Sequence, residues 1–369
     1  MKEEISNLIK KNLVDLEPYQ PGKPIEEVQR EYGLKEIIKL ASNENLYGVS
    51  PYAKKAMRRY LNEMNLYPDD SCYYLRKKIA EKHKVKEDEI IVGNGSVELL
   101  YYLGMAFLDE NVYVMYNSGS FPMYKIVSKI FNAKVVEIPL NERNLSCDPV
   151  KIADNLRSNT RLIFLANPNN PTGTSFSHQD VEYLLKKVKG DTLVVLDEAY
   201  THFVESQNFP NAFELYKEYE NLIILRTLSK AYGLAGLRIG YLIARPKIIN
   251  ALYKVKIPFN VNRLAQFAAL YALDDEDFLK NLREKILREK KFLYRNFDKM
   301  NVFYLKSDAN FIFVKFEKDS EIVYRELLKR GIITRPLPKS LFPNSLRITV
   351  GRRVDNIKLV RSLNEILKS

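Results

Sequence analysis

The chain has 369 residues, 46% of them hydrophobic and 28% charged, ordinary for a soluble globular protein and long enough for two domains. Its net charge of +12 points to nucleic acid or an anionic substrate only weakly. Lys and Arg are interleaved with Glu and Asp, as in Asn281-Leu-Arg-Glu-Lys-Ile-Leu-Arg-Glu-Lys290, the pattern of a solvated helix face. No apolar run approaches the ~20 residues that span a bilayer, and the charged N-terminus lacks the apolar stretch of a signal peptide. Cys72 and Cys147 form no CxxC pair, and with only three histidines a metal site is not expected. A cytoplasmic protein that binds no metal, membrane or nucleic acid is the expectation.

In chain order, the first 30 residues carry Pro18, Pro21 and Pro24 and read as an extended arm. Val92-Gly-Asn-Gly-Ser-Val-Glu-Leu-Leu100 places a glycine turn before a helix. Its backbone at Gly95 and Ser96 could therefore bind phosphate through the free first-turn amides. A dinucleotide fingerprint wants a third small residue at position 98, and Glu98 stands there instead.

Four apolar runs in the middle third end abruptly in polar residues. Arg161–Ala166 stops at Asn167-Pro-Asn-Asn-Pro-Thr-Gly173, and Thr192–Leu196 stops at Asp197-Glu-Ala-Tyr200. Asn221–Leu225 stops at Arg226-Thr-Leu-Ser-Lys230, and Gly240–Ala244 stops at Arg245-Pro246. Continuous apolar runs suit strands buried on both faces. Ser177–Val188 lies between the first two and reads as an amphipathic helix with a Ser177/Asp180 capping pattern. Strand, helix, strand implies a mostly parallel α/β sheet whose ligands bind beyond the carboxyl ends of the strands. The polar residues that end these runs should converge there. Helical patterns from about Asn262 to Met300, then Asn310–Val314, Ile322–Arg330 and Leu346–Val350, suggest a smaller α+β domain beginning near Lys256-Ile-Pro258.

Lys230 and Asp197 carry the chemistry of this reading. A Ser-Lys dipeptide alone means little, but a lysine and a carboxylate at neighbouring strand ends meet a specific need. Pyridoxal phosphate requires an imine-forming lysine and an acidic partner for its pyridinium nitrogen. Thr227, Ser229 and Arg238 surround Lys230 in sequence, and a cation with hydroxyls suits a phosphate dianion.

Asn167-Pro-Asn-Asn-Pro-Thr-Gly173, Asp197-Glu-Ala-Tyr200 and Thr227-Leu-Ser-Lys-Ala-Tyr-Gly-Leu-Ala-Gly-Leu-Arg238 resemble the fold-type-I pyridoxal-phosphate aminotransferases. Within that superfamily the likeness is greatest to the histidinol-phosphate aminotransferases, over nearly the whole chain. Added markers are Glu17-Pro-Tyr-Gln-Pro-Gly-Lys-Pro-Ile-Glu-Glu27, Leu40-Ala-Ser-Asn-Glu-Asn45, Tyr67-Pro-Asp69, Gly331-Ile-Ile-Thr-Arg335 and Leu346-Arg-Ile-Thr-Val-Gly351. The resemblance implies an α/β fold with an arm (1–30), a large domain (31–256) and a small α+β domain (257–369). The large domain would hold a mostly parallel seven-stranded sheet flanked by helices.

The resemblance also implies roles. Lys230 would carry the cofactor and move the substrate proton, and Asp197 would pair with the pyridinium. Asn167 and Tyr200 would bond the ring hydroxyl, and Phe121 would stack on the ring where many members have tyrosine. Thr227, Ser229, Arg238 and the backbone after Gly95 would hold the cofactor phosphate. Tyr67 would reach the neighbouring subunit's cofactor in a homodimer. Tyr19, Arg335 and Arg347 would bind the anion of histidinol phosphate, and of glutamate or 2-oxoglutarate in the other half-reaction. Leu46 replaces the family's proline after Asn45, with little expected consequence. An aromatic amino-acid aminotransferase and a threonine-phosphate decarboxylase remain as alternative readings. A non-catalytic DNA-binding regulator is disfavoured, because no additional module of ~60 residues is apparent.

Overall fold

The structure is a computed structural model describing residues 8–368, so the first seven residues of the expected arm lie outside the described residues. The strands are β1 (Ile38–Lys39), β2 (Ile90–Gly93), β3 (Tyr113–Asn117), β4 (Lys134–Ile138), β5 (Thr160–Ala166), β6 (Leu193–Asp197) and β7 (Leu222–Thr227). They continue with β8 (Gly240–Ile243), β9 (Phe303–Tyr304), β10 (Phe311–Lys315), β11 (Ile332–Ile333), β12 (Arg335–Pro336) and β13 (Ser345–Thr349).

The large sheet has seven strands in the order β2-β8-β7-β6-β5-β3-β4. Pairing is parallel from β7 to β4, while β8 runs antiparallel to both of its neighbours. The apolar runs form these central strands because helices cover both faces, and β6 and β8 are buried at every position. The helix His178–Lys187 starts at a capping box in which the Ser177 side chain accepts from the Asp180 amide, satisfying an end donor. Adjacent parallel strands in register bring the ends of β5, β6 and β7 together. Ala166 pairs with Asp197, and Asp197 with Leu225.

A four-stranded sheet, β12-β13-β10-β9, builds the smaller unit. Its own core joins Leu282, Ile286, Leu293 and Phe297 of the helix Glu276–Lys299 to Phe311, Ile312, Leu346, Ile348 and Leu359. The helix Arg263–Ala272 departs from the expected division at 256/257, because Ala265, Ala268, Ala269 and Ala272 pack into the large-sheet core. On core membership we therefore propose a division near Asp274. The arm is also less uniform than proline spacing suggests. Short helices form at Lys11–Val14 and Ile25–Tyr32, and Val28 is fully buried. After the arm, β1 pairs in parallel with β11 of the small unit, which lays residues 40–45 across the front of the large sheet. Among the described residues no helix is long and apolar enough to cross a membrane.

Candidate active site

The ends of β5, β6 and β7, the head of the helix Ser96–Phe107, residues 41–44 and the small unit enclose a cavity of about 390 Å³. Lys230, Asp197, Tyr200, Thr227, Ser229, Arg238, Ser96, Phe121, Tyr19, Arg335 and Arg347 all line it. Most of the residues expected to act together are therefore within one cleft, as the carboxyl-end rule for α/β sheets requires.

Lys230 Nζ donates to the Ser42 carbonyl at 3.0 Å and sits 5.9 Å from the Tyr200 ring centroid. Burial, reinforced by the Arg347 charge, pushes its ammonium pKa down to about 8, so a neutral, nucleophilic amine is accessible near physiological pH. Asp197 closes β6. Its Oδ2 accepts from the Tyr124 hydroxyl at 2.8 Å and its Oδ1 from the Ala199 amide at 3.2 Å. Burial pushes this carboxyl up to about 6, with the Tyr124 and Ala199 bonds acting in the opposite direction. A carboxylate this deep whose hydrogen-bond donors are neutral favours the arrival of a cation. Tyr200 accepts from Asn43 Nδ2 at 2.9 Å, which leaves its own hydroxyl proton for another acceptor.

One wall is shaped as an anion cradle. Gly95 caps the helix at φ +83°, and a Cβ there would lie 2.5 Å from Arg238 Nη2. Gly240 approaches closely from behind, where a Cβ would lie 2.7 Å from the Ser96 amide nitrogen. Glycine at both positions lets the helix head, Arg238 and the Thr227–Ser229 turn crowd round one point. The Ser229 amide donates to Thr227 Oγ1 at 3.1 Å.

The opposite wall is cationic. Arg347 Nη1 donates to Asn170 Oδ1 and Nη2 to the Ala41 carbonyl, both at 2.5 Å, while its Nε is buried with no partner. Burial pushes this guanidinium's pKa down. Arg335 Nη2 donates to the Gln20 carbonyl at 2.6 Å, tying the arm, and with it Tyr19, to the same wall.

One expected residue is placed differently. Asn167 is fully buried, but it does not line the cavity. Its side chain exchanges hydrogen bonds with the Phe176 backbone, at 3.2 and 3.4 Å. Asn170, three residues later, faces the cavity instead. Tyr67 lies outside this subunit's cavity, 79% exposed and stacked on Phe259 at 4.6 Å.

The aminotransferase class I and II profile matches residues 35–363. Histidinol-phosphate aminotransferase 2 of Carboxydothermus hydrogenoformans is 43% identical over 362 residues, covering 98% of this chain and 99% of that protein. The chain belongs to the histidinol-phosphate aminotransferases, within class I and II. The Moorella thermoacetica member of this aminotransferase family is 42% identical, with 96% and 92% of the two chains covered. The crystal structure of the Sinorhizobium meliloti histidinol-phosphate aminotransferase, in complex with pyridoxal-5'-phosphate, superimposes with a TM-score of 0.89 at 27% identity. That match covers 98% of this chain and 97% of the other. An L-threonine-O-3-phosphate decarboxylase from Porphyromonas gingivalis shares the fold at 24% identity and a TM-score of 0.79.

Sequence reasoning missed Asn170, Tyr124, Asn43 and Ser42. Asn170 stood in the quoted motif, but nothing in the run says which asparagine turns inward. Tyr124 follows Phe121 by one helical turn, so its side chain could have been expected on the same side. Asn43 and Ser42 lie far from their partners in the chain, 157 residues from Tyr200 and 188 from Lys230 respectively, and no local pattern announces such a meeting.

Proposed function

We propose that this chain transfers an amino group between histidinol phosphate and 2-oxoglutarate with pyridoxal phosphate as cofactor. The single observation that carries the substrate reading is the Arg347 guanidinium. It is buried, bonded to neutral oxygens, unsatisfied at Nε, and accompanied by Arg335 and Tyr19. Two arginines and a phenol can bind a phosphate dianion in one half-reaction and a carboxylate in the other, because guanidinium forks fit both.

The residues fit the cofactor. Asp197 offers a buried carboxylate to a ring cation, and Ser96, Thr227, Ser229 and Arg238 offer donors to a phosphate. Phe121 and Ala199 supply apolar walls for a flat ring. When bound, pyridoxal phosphate supplies an electron sink for the bonds at the substrate Cα. Asp197 keeps the ring nitrogen protonated. Tyr200, and Asn170 rather than Asn167, would hold the ring oxygen. The Lys230 amine, with its lowered proton affinity, takes the Cα proton and returns it.

The Asp197 carboxyl gives a pH dependence whose sign is fixed. Without a cation beside it the folded protein holds this proton up to about pH 6, whereas the unfolded chain releases it near 3.8. Stability of the cofactor-free protein therefore falls as pH rises between those values. A cationic ring nitrogen reverses the preference, so cofactor affinity is full above about pH 6 and lost as pH falls through it.

The asparagines separate cleanly. Asn170→Ala should lower cofactor affinity and kcat, since it removes the Arg347 acceptor as well. Asn167→Ala should mainly lower the thermal midpoint, because two buried backbone partners lose their bonds at about 1–3 kcal/mol. Cofactor titration beside thermal unfolding of both variants checks this, and equal loss of affinity in both would restore Asn167 to the site.

The neighbouring subunit enters through Tyr67. Leu61, Met64, Leu66, Tyr67, Ile257 and Phe259 are all exposed and form an apolar surface of the kind that pairs. We read it as the homodimer face that delivers Tyr67 to the partner's cofactor.

Turnover with 2-oxoglutarate tests the substrate reading. Histidinol phosphate should exceed phenylalanine in kcat/KM, and Arg335→Ala should cut the first by roughly 10- to 100-fold while sparing the second. Equal turnover of phenylalanine would move the protein to the aromatic class.

A further inference from the structure

Directly behind Asp197 and Thr227 lies an ion pair that the chemistry above does not use. Glu198 follows Asp197, and Arg226 precedes Thr227. Successive residues of a strand point to opposite faces. Asp197 and Thr227 face the cavity, and Glu198 and Arg226 do not line it. Instead Arg226 Nε and Nη2 donate to one oxygen, Glu198 Oε2, at 2.9 and 2.6 Å. The Arg226 side chain is 14% exposed and the Glu198 side chain 1%. The Glu198 amide also donates to the Leu225 carbonyl at 2.9 Å, extending the β6–β7 ladder one step past Asp197.

We propose that Glu198 and Arg226 are positioning residues that fix and charge-balance the strand ends presenting Asp197 and Thr227 to the cofactor. This rests on the cofactor reading above. The pair ties β6 to β7 at the level where one strand holds the ring nitrogen and the other the phosphate. It also matters electrostatically, because a buried carboxylate one residue from Asp197 disfavours the ionised form of Asp197. Arg226 cancels that charge.

Among the described residues Glu198 forms a salt bridge with Arg226 alone. The Arg226 guanidinium sits 4.9 Å from the Phe213 ring centroid and pairs across the sheet with Tyr241. His83 stacks on Phe213 at 4.5 Å and meets the Tyr241 hydroxyl at 2.8 Å. His202 packs edge-on to Tyr232 at 5.2 Å. Burial, with the Arg226 charge adding to it, pushes both histidines down to about 3, so they are neutral throughout the range in which Asp197 titrates. Among the described residues, Asp197 on the cavity side meets the Tyr124 hydroxyl, the Ala199 amide and the neighbouring Tyr200.

The two halves of the pair therefore act on Asp197 with opposite sign. Arg226→Gln leaves Glu198 uncompensated, and the pH at half-maximal affinity for pyridoxal phosphate should rise by about half a unit or more. Glu198→Gln leaves the cation, and the same midpoint should fall. The double variant Glu198→Gln/Arg226→Gln should return it towards the parent, even though it lacks the bond altogether. The measurement is cofactor titration of the apoprotein by absorbance from pH 5 to 8, alongside thermal unfolding of each apoprotein. A merely structural pair would lower the unfolding midpoint in all three variants and move the acid limb in none. Parallel shifts in both single variants, or unmoved limbs in all three, overturn the proposal. Should Arg226→Gln fail to fold, Glu198→Gln and the double variant still decide it by the sign of their difference. A parent protein that takes up no pyridoxal phosphate sinks the cofactor reading, and this inference with it.

Discussion

Lys230→Ala is expected to lower kcat for amino transfer by roughly 10,000-fold or more, because it removes the residue we propose as both the cofactor's covalent anchor and the proton carrier. Histidinol phosphate turnover with 2-oxoglutarate reads this directly. The same substitution should not unfold the protein. The Lys230 ammonium is costly where it stands, with its pKa pushed down to about 8 by burial against 10.5 when unfolded. In that window the unfolded chain binds more protons than the folded one. The parent apoprotein therefore gains stability as pH rises from about 8 to 10.5, and the variant does not. At pH 7 the variant apoprotein should melt at or above the parent, and its advantage should disappear in alkaline buffer. A variant that melts lower at pH 7 and retains turnover would remove Lys230 from the centre of the account.

Arg347→Met is expected to have the second largest effect. The guanidinium holds the small unit to the site through Asn170 and Ala41, but its charge has no anionic partner in the cavity. Losing a bidentate charged contact to substrate should cut kcat/KM by roughly 100- to 1,000-fold. Discarding a buried, uncompensated cation offsets the two lost hydrogen bonds, so the apoprotein's thermal midpoint should stay level or rise. The split between activity and stability is the diagnostic feature. If the midpoint falls steeply and kcat/KM falls only in proportion to the unfolded fraction, Arg347 is a structural residue. The effect should reach both half-reactions, since in the proposed site glutamate and histidinol phosphate present their anions to the same guanidinium. Arg335→Ala, further out and tied to the arm through Gln20, should weigh on the phosphate substrate alone.

Much of this site was legible in the sequence because strand ends in a parallel sheet are a physical address. Apolar runs that stop at Asp197 and Arg226 become β6 and β7, and their register puts the stops side by side, with Lys230 following just past the end of β7. The proposed phosphate cradle was anticipated for a similar reason, since a glycine turn before a helix leaves room for the close approach of Arg238. Legibility ended where side-chain direction depends on distant contacts. Asn167 and Asn170 share one motif, and only the Phe176 backbone decides that the first turns away. The division we propose near Asp274 differs from the expected one because an alanine-rich helix carries no mark of which core it joins. Glu198 was read as part of the Asp197 motif, yet its role depends on Arg226 of another strand. The arm's proline spacing concealed the Ile25–Tyr32 helix, whose buried Val28 packs on the small unit's Leu328 and Ile333.

The most direct test of the central claim is borohydride reduction of the pyridoxal-phosphate-loaded protein, with peptide mapping, before and after addition of histidinol phosphate. A pyridoxyl label is expected on the peptide containing Lys230. Prior histidinol phosphate should abolish that label, and phenylalanine at equal concentration should largely spare it. A label on another lysine, or a Lys230 label that histidinol phosphate leaves untouched, would contradict the claim.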